Sequence, residues 1–341
     1  MIADVVALTR PPAPARPQVA RHRPALPLRV GTRASPLALA QTRSFLGLLA
    51  RFCPVLRGMD VFCEHAIQTT GDRVLDRPLA EIGGKGLFAK EIHQALLEGR
   101  IDFAVHSLKD LETALPDGIT LACVLKREDC RDVLILSPEL HDLARETTLE
   151  DCFAILPHAA LIGTCSVRRA AQLLHARPDL RITTMRGNVQ SRLAKVRDGQ
   201  CAGSLLALAG LNRLGLEAEA SVVIPAETMV PAACQGIVGI TVRSADREVI
   251  ELLSAIEDRN ARVCATAERA VQSALDGSCA TPIGAYASLV DNALTLTALV
   301  ASLDGGFVLR RQLHGQASEA ARMGRELGLG LKADSPATIF H

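Results

Sequence analysis

The sequence predicts an α/β protein built as two α/β units joined by a hinge that the chain crosses twice, with a small α+β unit at the end. Three observations carry that expectation. Short apolar strands alternate with apolar-periodic helices from Leu28 to Leu125 and again from Val133 to Leu208, the pattern of sheets with helices laid across them. Polar stretches interrupt the alternation at Lys126 to Asp132 and around Gln235-Gly236, and the strand Val238 to Val242 follows as the chain's return to the first unit. Beyond Ala285, alternating strands (Ala285 to Leu289, Leu294 to Ala301 and Gly306 to Leu313) precede a last helix. The expected boundaries are residues 28–126 and 231–255 for a discontinuous first domain, 131–227 for the second and 259–341 for the third.

Leu28 to Arg33 reads as a strand ending at a turn. Ser35 and Pro36 are an N-cap and a first-turn proline ahead of an apolar-periodic helix, Leu37 to Leu49. Backbone amides at such a helix start face an incoming anion, and Arg33 and Ser35 stand where it would arrive. A strand near Val61 to Thr69 leads into GDRVLDRPLAEIGGKG, residues 71–86, a loop expected to move as a lid. Phe88 to Leu97 follows as a helix ended by Gly99. Ile101 to His106 then reads as a buried strand whose end runs into Ser107, Leu108, Lys109 and Asp110. Ligands of open α/β sheets bind beyond the carboxyl ends of strands, so Asp110 is the first candidate for a working carboxylate. Taken alone, an Asp in that place caps a turn equally well.

In the second unit, strands at Val133 to Leu136, Ala160 to Gly163, Ile182 to Met185 and Ser204 to Leu208 alternate with helices. One strand end opens into Thr164-Cys165-Ser166-Val167-Arg168-Arg169 and another into Arg186-Gly187-Asn188. Arginines 33, 168, 169, 186, 192 and 213 all fall at strand ends or in the following helices. Converging, they would form a cage for carboxylates, because Arg stays charged and binds them bidentately. Solvated surfaces display arginines too, but two cations opening one helix oppose its dipole unless an anion is expected there. Cys279 lies in the turn Gly277-Ser278-Cys279 after the helix Ala261 to Leu275, where a sulfur can face outward. His106 reads as a satisfied strand histidine and His93 as a helix-surface one. No metal constellation is visible.

Composition excludes several classes. With 341 residues and 48% hydrophobic content the chain can fill several cores. Lys+Arg 38 against Asp+Glu 37 is too balanced for a chain that neutralises many phosphates, and one Tyr without Trp leaves few stacking platforms, so no nucleic-acid partner is expected. Ten cysteines without a CxxC pair indicate a reducing compartment. No apolar run approaches the roughly 20 residues of a membrane helix. Residues 1–27 are rich in Pro, Ala and Arg and read as a disordered tail; Val5 to Leu8 is too short for a secretory core. The Arg excess leaves an organellar transit peptide as the alternative to a cytoplasmic protein, with Thr9 the tail's one Ser or Thr.

Eight strings in chain order carry a resemblance. GTRASPLALAQ (31–41), GGKGLFAKE (83–91), AVHSLKD (104–110), GTCSVRR (163–169), RGNVQSRL (186–193), AGLNRLG (209–215), ERA (268–270) and GSCATPIGAY (277–286) closely resemble the porphobilinogen deaminases, or hydroxymethylbilane synthases. The resemblance runs from about Leu28 to near the C-terminus. It implies two lobes like those of type II periplasmic binding proteins plus the small third domain. It also implies a dipyrromethane cofactor, made from two porphobilinogen units and tethered through a thioether to Cys279. Four more porphobilinogens are then joined head to tail, each losing ammonia, and water releases hydroxymethylbilane. The corresponding expectation is a cytoplasmic, monomeric transferase of tetrapyrrole biosynthesis acting on a small molecule.

By the same matching, Asp110 is the catalytic acid beside the pyrrole nitrogens. Lys109, Thr164, Ser166, Arg168 and Arg169 hold cofactor carboxylates; Arg33, Ser35, Gln41, Arg186, Arg192 and Arg213 face the substrate; Lys85 closes over the anionic chain from the lid. Porphobilinogen's acetate and propionate groups account for the arginines. The chain departs from the family where Leu111-Glu112 replaces the usual Val-Pro, Glu81 a lysine, Cys234 a glycine, and Gly277-Ser278 the residues before the cofactor cysteine. These departures motivate an alternative, a non-catalytic anion-binding protein on the same scaffold. Asp110 and Cys279, which solute binding would not require, speak against it.

Overall fold

The structure, a computed structural model, describes residues 26–57, 61–74, 86–146, 151–276 and 281–340. Most of the expected tail, the centre of the expected lid with Glu81 and Lys85, and the expected turn with Cys279 lie outside the described residues. The first strands are β1 (Leu28–Arg33), β2 (Phe62–Ile67), β3 (Phe103–Ser107) and β4 (Ile119–Val124). After them come β5 (Asp132–Leu136), β6 (Leu161–Gly163), β7 (Arg181–Thr183), β8 (Gly203–Ala207) and β9 (Val222–Ile224). Strand β10 (Val238–Arg243) returns to the first sheet, whose order is β2-β1-β3-β10-β4. The second sheet has the order β7-β6-β8-β5-β9. In both, a parallel trio meets an antiparallel strand next to the hinge, β10 in one and β5 in the other. A third, antiparallel sheet joins β11 (Ile283–Val290), β12 (Ala293–Ala301) and β13 (Val308–Gln316).

Helix α1 (Pro36–Phe52) starts as its sequence predicts: Ser35 Oγ accepts from the Ala38 amide at 3.3 Å and Pro36 opens the first turn. Its apolar face lies on the first sheet, with Phe45 edge-on to Phe103 at 5.7 Å. The short helix α2 (Thr70–Arg73) occupies the start of the stretch expected to be loop, a correction; Asp72 closes a capping box with Thr69 there. Helix α3 (Lys90–Leu97) buries His93 together with Ile92, Ala95 and Leu96, so His93 is not the surface residue its sequence context predicts. Its ring lies 5.9 Å from that of His106, and packing against β3 overrides a polar reading. Both faces of β3 are buried, Phe103 and Val105 in one apolar layer and Ala104 in another.

The second lobe carries α4 (Pro138–Glu146), α5 (Val167–Ala176), α6 (Val189–Arg197) and α7 (Leu208–Leu214) around a core that includes Leu134, Ile162 and Leu205. Ser166 and Asn188 cap α5 and α6 through the amides of Arg169 and Ser191. Helix α8 (Arg247–Ser254), which like β9 has no counterpart in the sequence reading, packs on the first core through Val249 and Leu253. In the third unit α9 (Arg259–Ala274) and α10 (Ala320–Asp334) cross closely: a Cβ at Gly324 would lie 2.2 Å from the Ala267 carbonyl oxygen.

The hinge is tied to the third unit by a buried ion pair. Arg127 Nη1 and Nη2 meet Glu268 Oε1 and Oε2 at 2.7 and 2.9 Å, and Glu268 also accepts from the amides of Cys234 and Ala287. Two residues of the second crossing are left-handed. Gly236 has φ +86°, and Cys234 has φ +62°.

Candidate active site

Strand β3 ends at Ser107 and the chain turns once through Leu108–Asp110, which sets Lys109 and Asp110 at the carboxyl end of the first sheet. A pocket there is lined by Arg33, Ser35, Gln41, Phe88, Lys109 and Asp110. Arg33 Nη1 stands 3.5 Å from Asp110 Oδ2. The other edge of the Arg33 fork holds Asp72, with Nε to Oδ2 at 3.2 Å and Nη2 to Oδ1 at 2.5 Å. Phe88 stacks under the same guanidinium at 4.1 Å. Burial alone would push the Asp72 carboxyl up, but hydrogen bonds and charge from Arg33 bring it below its ordinary value. Asp72 escaped the sequence reading because it falls in an apparent loop. Gln41 Oε1 accepts from Ser107 Oγ at 3.1 Å, and His106 Nε2 lies 2.9 Å from Thr241 Oγ1. Burial, then His93 and Arg33, push His106 down to about 3, so its imidazole is neutral.

Across the hinge, Arg168 Nη1 donates to Asp132 Oδ2 at 2.7 Å and to the Val230 carbonyl at 2.8 Å. Arg169 Nη2 donates to Asp132 Oδ1 at 2.8 Å, and its Nη1 to the Leu205 carbonyl at 3.0 Å. The anion that two arginines at the start of α5 call for is thus supplied first by the chain itself. Asp132 is fully buried; burial would raise its carboxyl, and Arg168 and Arg169 overcome that and hold it well below the carboxylate range. Lys109 reaches the same group through Gln235, Nζ to Oε1 at 3.2 Å. Burial, then Arg169, lower its ammonium to about 8. Thr164 Oγ1 accepts from the Ser166 amide at 3.1 Å, beside these cations at the end of β6.

The remaining expected residues are spread more widely. Arg186 Nη2 donates across the lobes to the Gly71 carbonyl at 2.9 Å, one residue before Asp72. Arg192 bonds the Gly187 carbonyl at 2.9 Å and lies 3.6 Å from Cys165 Sγ. Arg213 Nη2 donates to the hinge carbonyl of Gly236 at 2.6 Å and does not line the Asp110 pocket. A larger cleft of about 380 Å³ lies on the hinge between Arg127–Arg131, Pro225–Glu227 and Tyr286, and among the described residues none of the expected site residues lines it. Among the described residues no group of three or more His, Cys, Asp or Glu could hold a metal ion.

The profile described as "Porphobilinogen deaminase, dipyromethane cofactor binding domain" matches residues 28–251, and that of "Porphobilinogen deaminase, C-terminal domain" matches residues 262–333. The chain belongs to the porphobilinogen deaminase family. The porphobilinogen deaminase of Paracoccus denitrificans is 44% identical over 324 residues, 93% of this chain and 97% of that protein. That of Synechococcus elongatus is 44% identical, covering 93% of this chain and 95% of its own. The chloroplastic porphobilinogen deaminase of Oryza sativa subsp. japonica is 42% identical, covering 92% and 85%.

Solved structures similar in shape include the periplasmic VFT2 domain of Bordetella pertussis BvgS, at 13% identity, TM-score 0.38 and coverage of 67% of this chain and 86% of that one. Another is a periplasmic sulfonate-binding protein SsuA from Methylobacillus flagellatus KT, at 15% identity, TM-score 0.37 and coverage of 69% and 66%. Likeness of that degree carries no argument, and the fold class rests on the strand orders above. With the family come porphobilinogen deaminase function in tetrapyrrole biosynthesis and a dipyrromethane cofactor. The donor set fits such a group: Arg168 and Arg169 share the one buried acid Asp132, and Lys109 is linked to it only through Gln235, an excess of positive charge that carboxylates complement.

Proposed function

We propose that this chain joins four porphobilinogen molecules head to tail onto a dipyrromethane primer tethered to Cys279, with loss of ammonia at each addition. Hydrolysis then releases hydroxymethylbilane, which makes the chain a transferase. The observation that supports the reading best is Asp110 in a pocket whose nearest cation, Arg33 at 3.5 Å, is itself bound by Asp72. When bound, the dipyrromethane would supply the free pyrrole carbon that accepts the first unit, and each later unit would add to the ring joined before it. Asp110 faces the cation left as ammonia departs, stabilises it electrostatically, and moves protons to the leaving amine and from the coupled pyrrole carbon. Asp72 and Phe88 fix the plane of Arg33, so that its free edge meets both Asp110 and a substrate carboxylate.

In this reading Lys109, Thr164, Ser166, Arg168 and Arg169 hold cofactor carboxylates. Arg33, Ser35, Gln41, Arg186 and Arg192 serve the substrate, with Lys85 closing over it and Arg213 acting through the hinge. The units divide at 28–126 with 231–255, 131–227 and 259–341. The chain works as a cytoplasmic monomer without nucleic-acid or membrane partners; among the described residues no helix is long and apolar enough to cross a membrane.

Incubation with porphobilinogen tests the reading, with hydroxymethylbilane as the expected product. The denatured chain should be heavier by one dipyrromethane, and Cys279→Ala should remove that mass. A mass that persists in Cys279→Ala places the tether elsewhere. A wild-type chain that binds carboxylates yet carries no pyrrole mass is an anion-binding protein instead.

A further inference from the structure

Gln235 lies on the second hinge crossing, fully buried, and both ends of its side-chain amide are engaged. Its Oε1 accepts from Lys109 Nζ at 3.2 Å. Its Nε2 donates to Asp132 Oδ1 at 2.9 Å and to the Cys130 carbonyl at 2.7 Å. Lys109 follows β3 in the first lobe, Asp132 opens β5 in the second and clamps Arg168 and Arg169, and Cys130 lies on the first hinge crossing. One amide therefore joins both crossings and the cations of both lobes. Its root is pinned as well, because the Gln235 carbonyl accepts from Arg127 Nε at 2.9 Å and a Cβ on neighbouring Gly236 would lie 2.3 Å from the Glu128 carbonyl oxygen.

The polarity of the group matters. An ammonium needs an acceptor and a carboxylate needs a donor, and a primary amide presents one of each at a fixed spacing. We propose that Gln235 is a positioning residue that sets the Lys109 ammonium against the Arg168–Arg169 pair across the hinge, so that incoming carboxylates meet one preformed cationic surface. This rests on the function proposed above and assigns Gln235 a role in it.

Around Lys109, Asp110 on its own turn and Asp132 on β5 favour the charged ammonium, whereas Arg169 and Arg168 on α5 and burial oppose it, leaving it near 8. The margin above neutral pH is small. Losing the Gln235 oxygen removes a hydrogen bond to the charged form, so Lys109 should lose its proton at lower pH.

The test compares wild type, Gln235→Met and Gln235→Glu as full chains, by whole-protein mass, thermal midpoint and kcat/KM against pH. In Gln235→Met the alkaline midpoint should move down by about one pH unit, and KM for porphobilinogen should rise about tenfold with a smaller fall in kcat, as for a lost hydrogen bond to a charged group. The fraction of chains carrying the dipyrromethane mass should fall as well. In Gln235→Glu a carboxylate oxygen replaces the donor facing Asp132, so KM should again rise while the alkaline midpoint moves up. A fully loaded Gln235→Met with KM and pH profile unmoved, or one that merely melts earlier with that profile unmoved, overturns the proposal. If Gln235→Met fails to fold, an unmoved midpoint in Gln235→Glu overturns it. A wild-type chain with neither the mass nor turnover overturns the functional reading and this one with it. A loaded, active wild type beside an unmoved variant overturns this one alone.

Discussion

Lys109 is a cation held among cations, and its pH response follows from that. Burial, then Arg169, lower it from the ordinary lysine value to about 8, so the free protein keeps the charge below that pH and loses it above. Because kcat/KM reports groups of the free enzyme, in which cofactor carboxylates beside Lys109 raise its value, it should fall as pH rises above about 8. Lys109→Arg, permanently charged, should lack that limb even if slower overall. At Asp110, replacement by Asn should keep the covalent mass and lower turnover by about 10²- to 10⁴-fold, in line with removal of a proton-transfer group. Near-normal turnover would remove Asp110 from the chemistry. Asp110 was legible in the sequence because it closes the AVHSLKD string at a strand end. Asp72 and Asp132 were not, since nothing local marks an Asp in a polar stretch as the partner of an arginine far along the chain.

At the scale of elements, the Ser35 cap was the most legible feature, because a cap is a contact between residues three apart. Ser35 accepts the amide expected of it, and Ser166, Asn188 and Asp258 cap α5, α6 and α9 over the same spacing, the last through Ala261 at 2.8 Å. Asp258→Ala should lower stability by about 1 kcal/mol, read from urea unfolding. The hinge crossing is less forgiving. Gly236 combines a left-handed backbone with the close Glu128 carbonyl, so Gly236→Ala should destabilise by more than about 1 kcal/mol in the same assay. An Ala that folds with unchanged stability would show that the crossing relaxes freely. His93 marks the limit of helical pattern: a polar residue beside Ile92 reads as surface, yet the α3 face turned to β3 includes it.

For the whole molecule, the Arg127–Glu268 pair connects the hinge to the third unit, and Cys279 comes five residues after the end of α9, the helix on which Glu268 sits. Glu268 is completely buried and satisfies two backbone amides besides Arg127. Glu268→Ala would strand a buried guanidinium and should cost about 3–5 kcal/mol. Denaturant unfolding measures that loss, and whole-protein mass should show fewer chains with the covalent pyrrole. A loss below about 1 kcal/mol would mean that the pair is solvated in solution, as exposed pairs are.

The sequence by itself determined the α/β class, the strand ends where charged residues gather and the family, since periodicity and short motifs are written over neighbouring residues. Only the tertiary structure decided which charges meet. Arg33 is shared by Asp72 and Asp110, Arg168 and Arg169 close on Asp132, and Gln235 joins Lys109 to that acid from 126 residues away. The reason is physical: a periodic pattern specifies which face of an element is buried, whereas a charge's partner depends on how separate elements are brought together across the hinge.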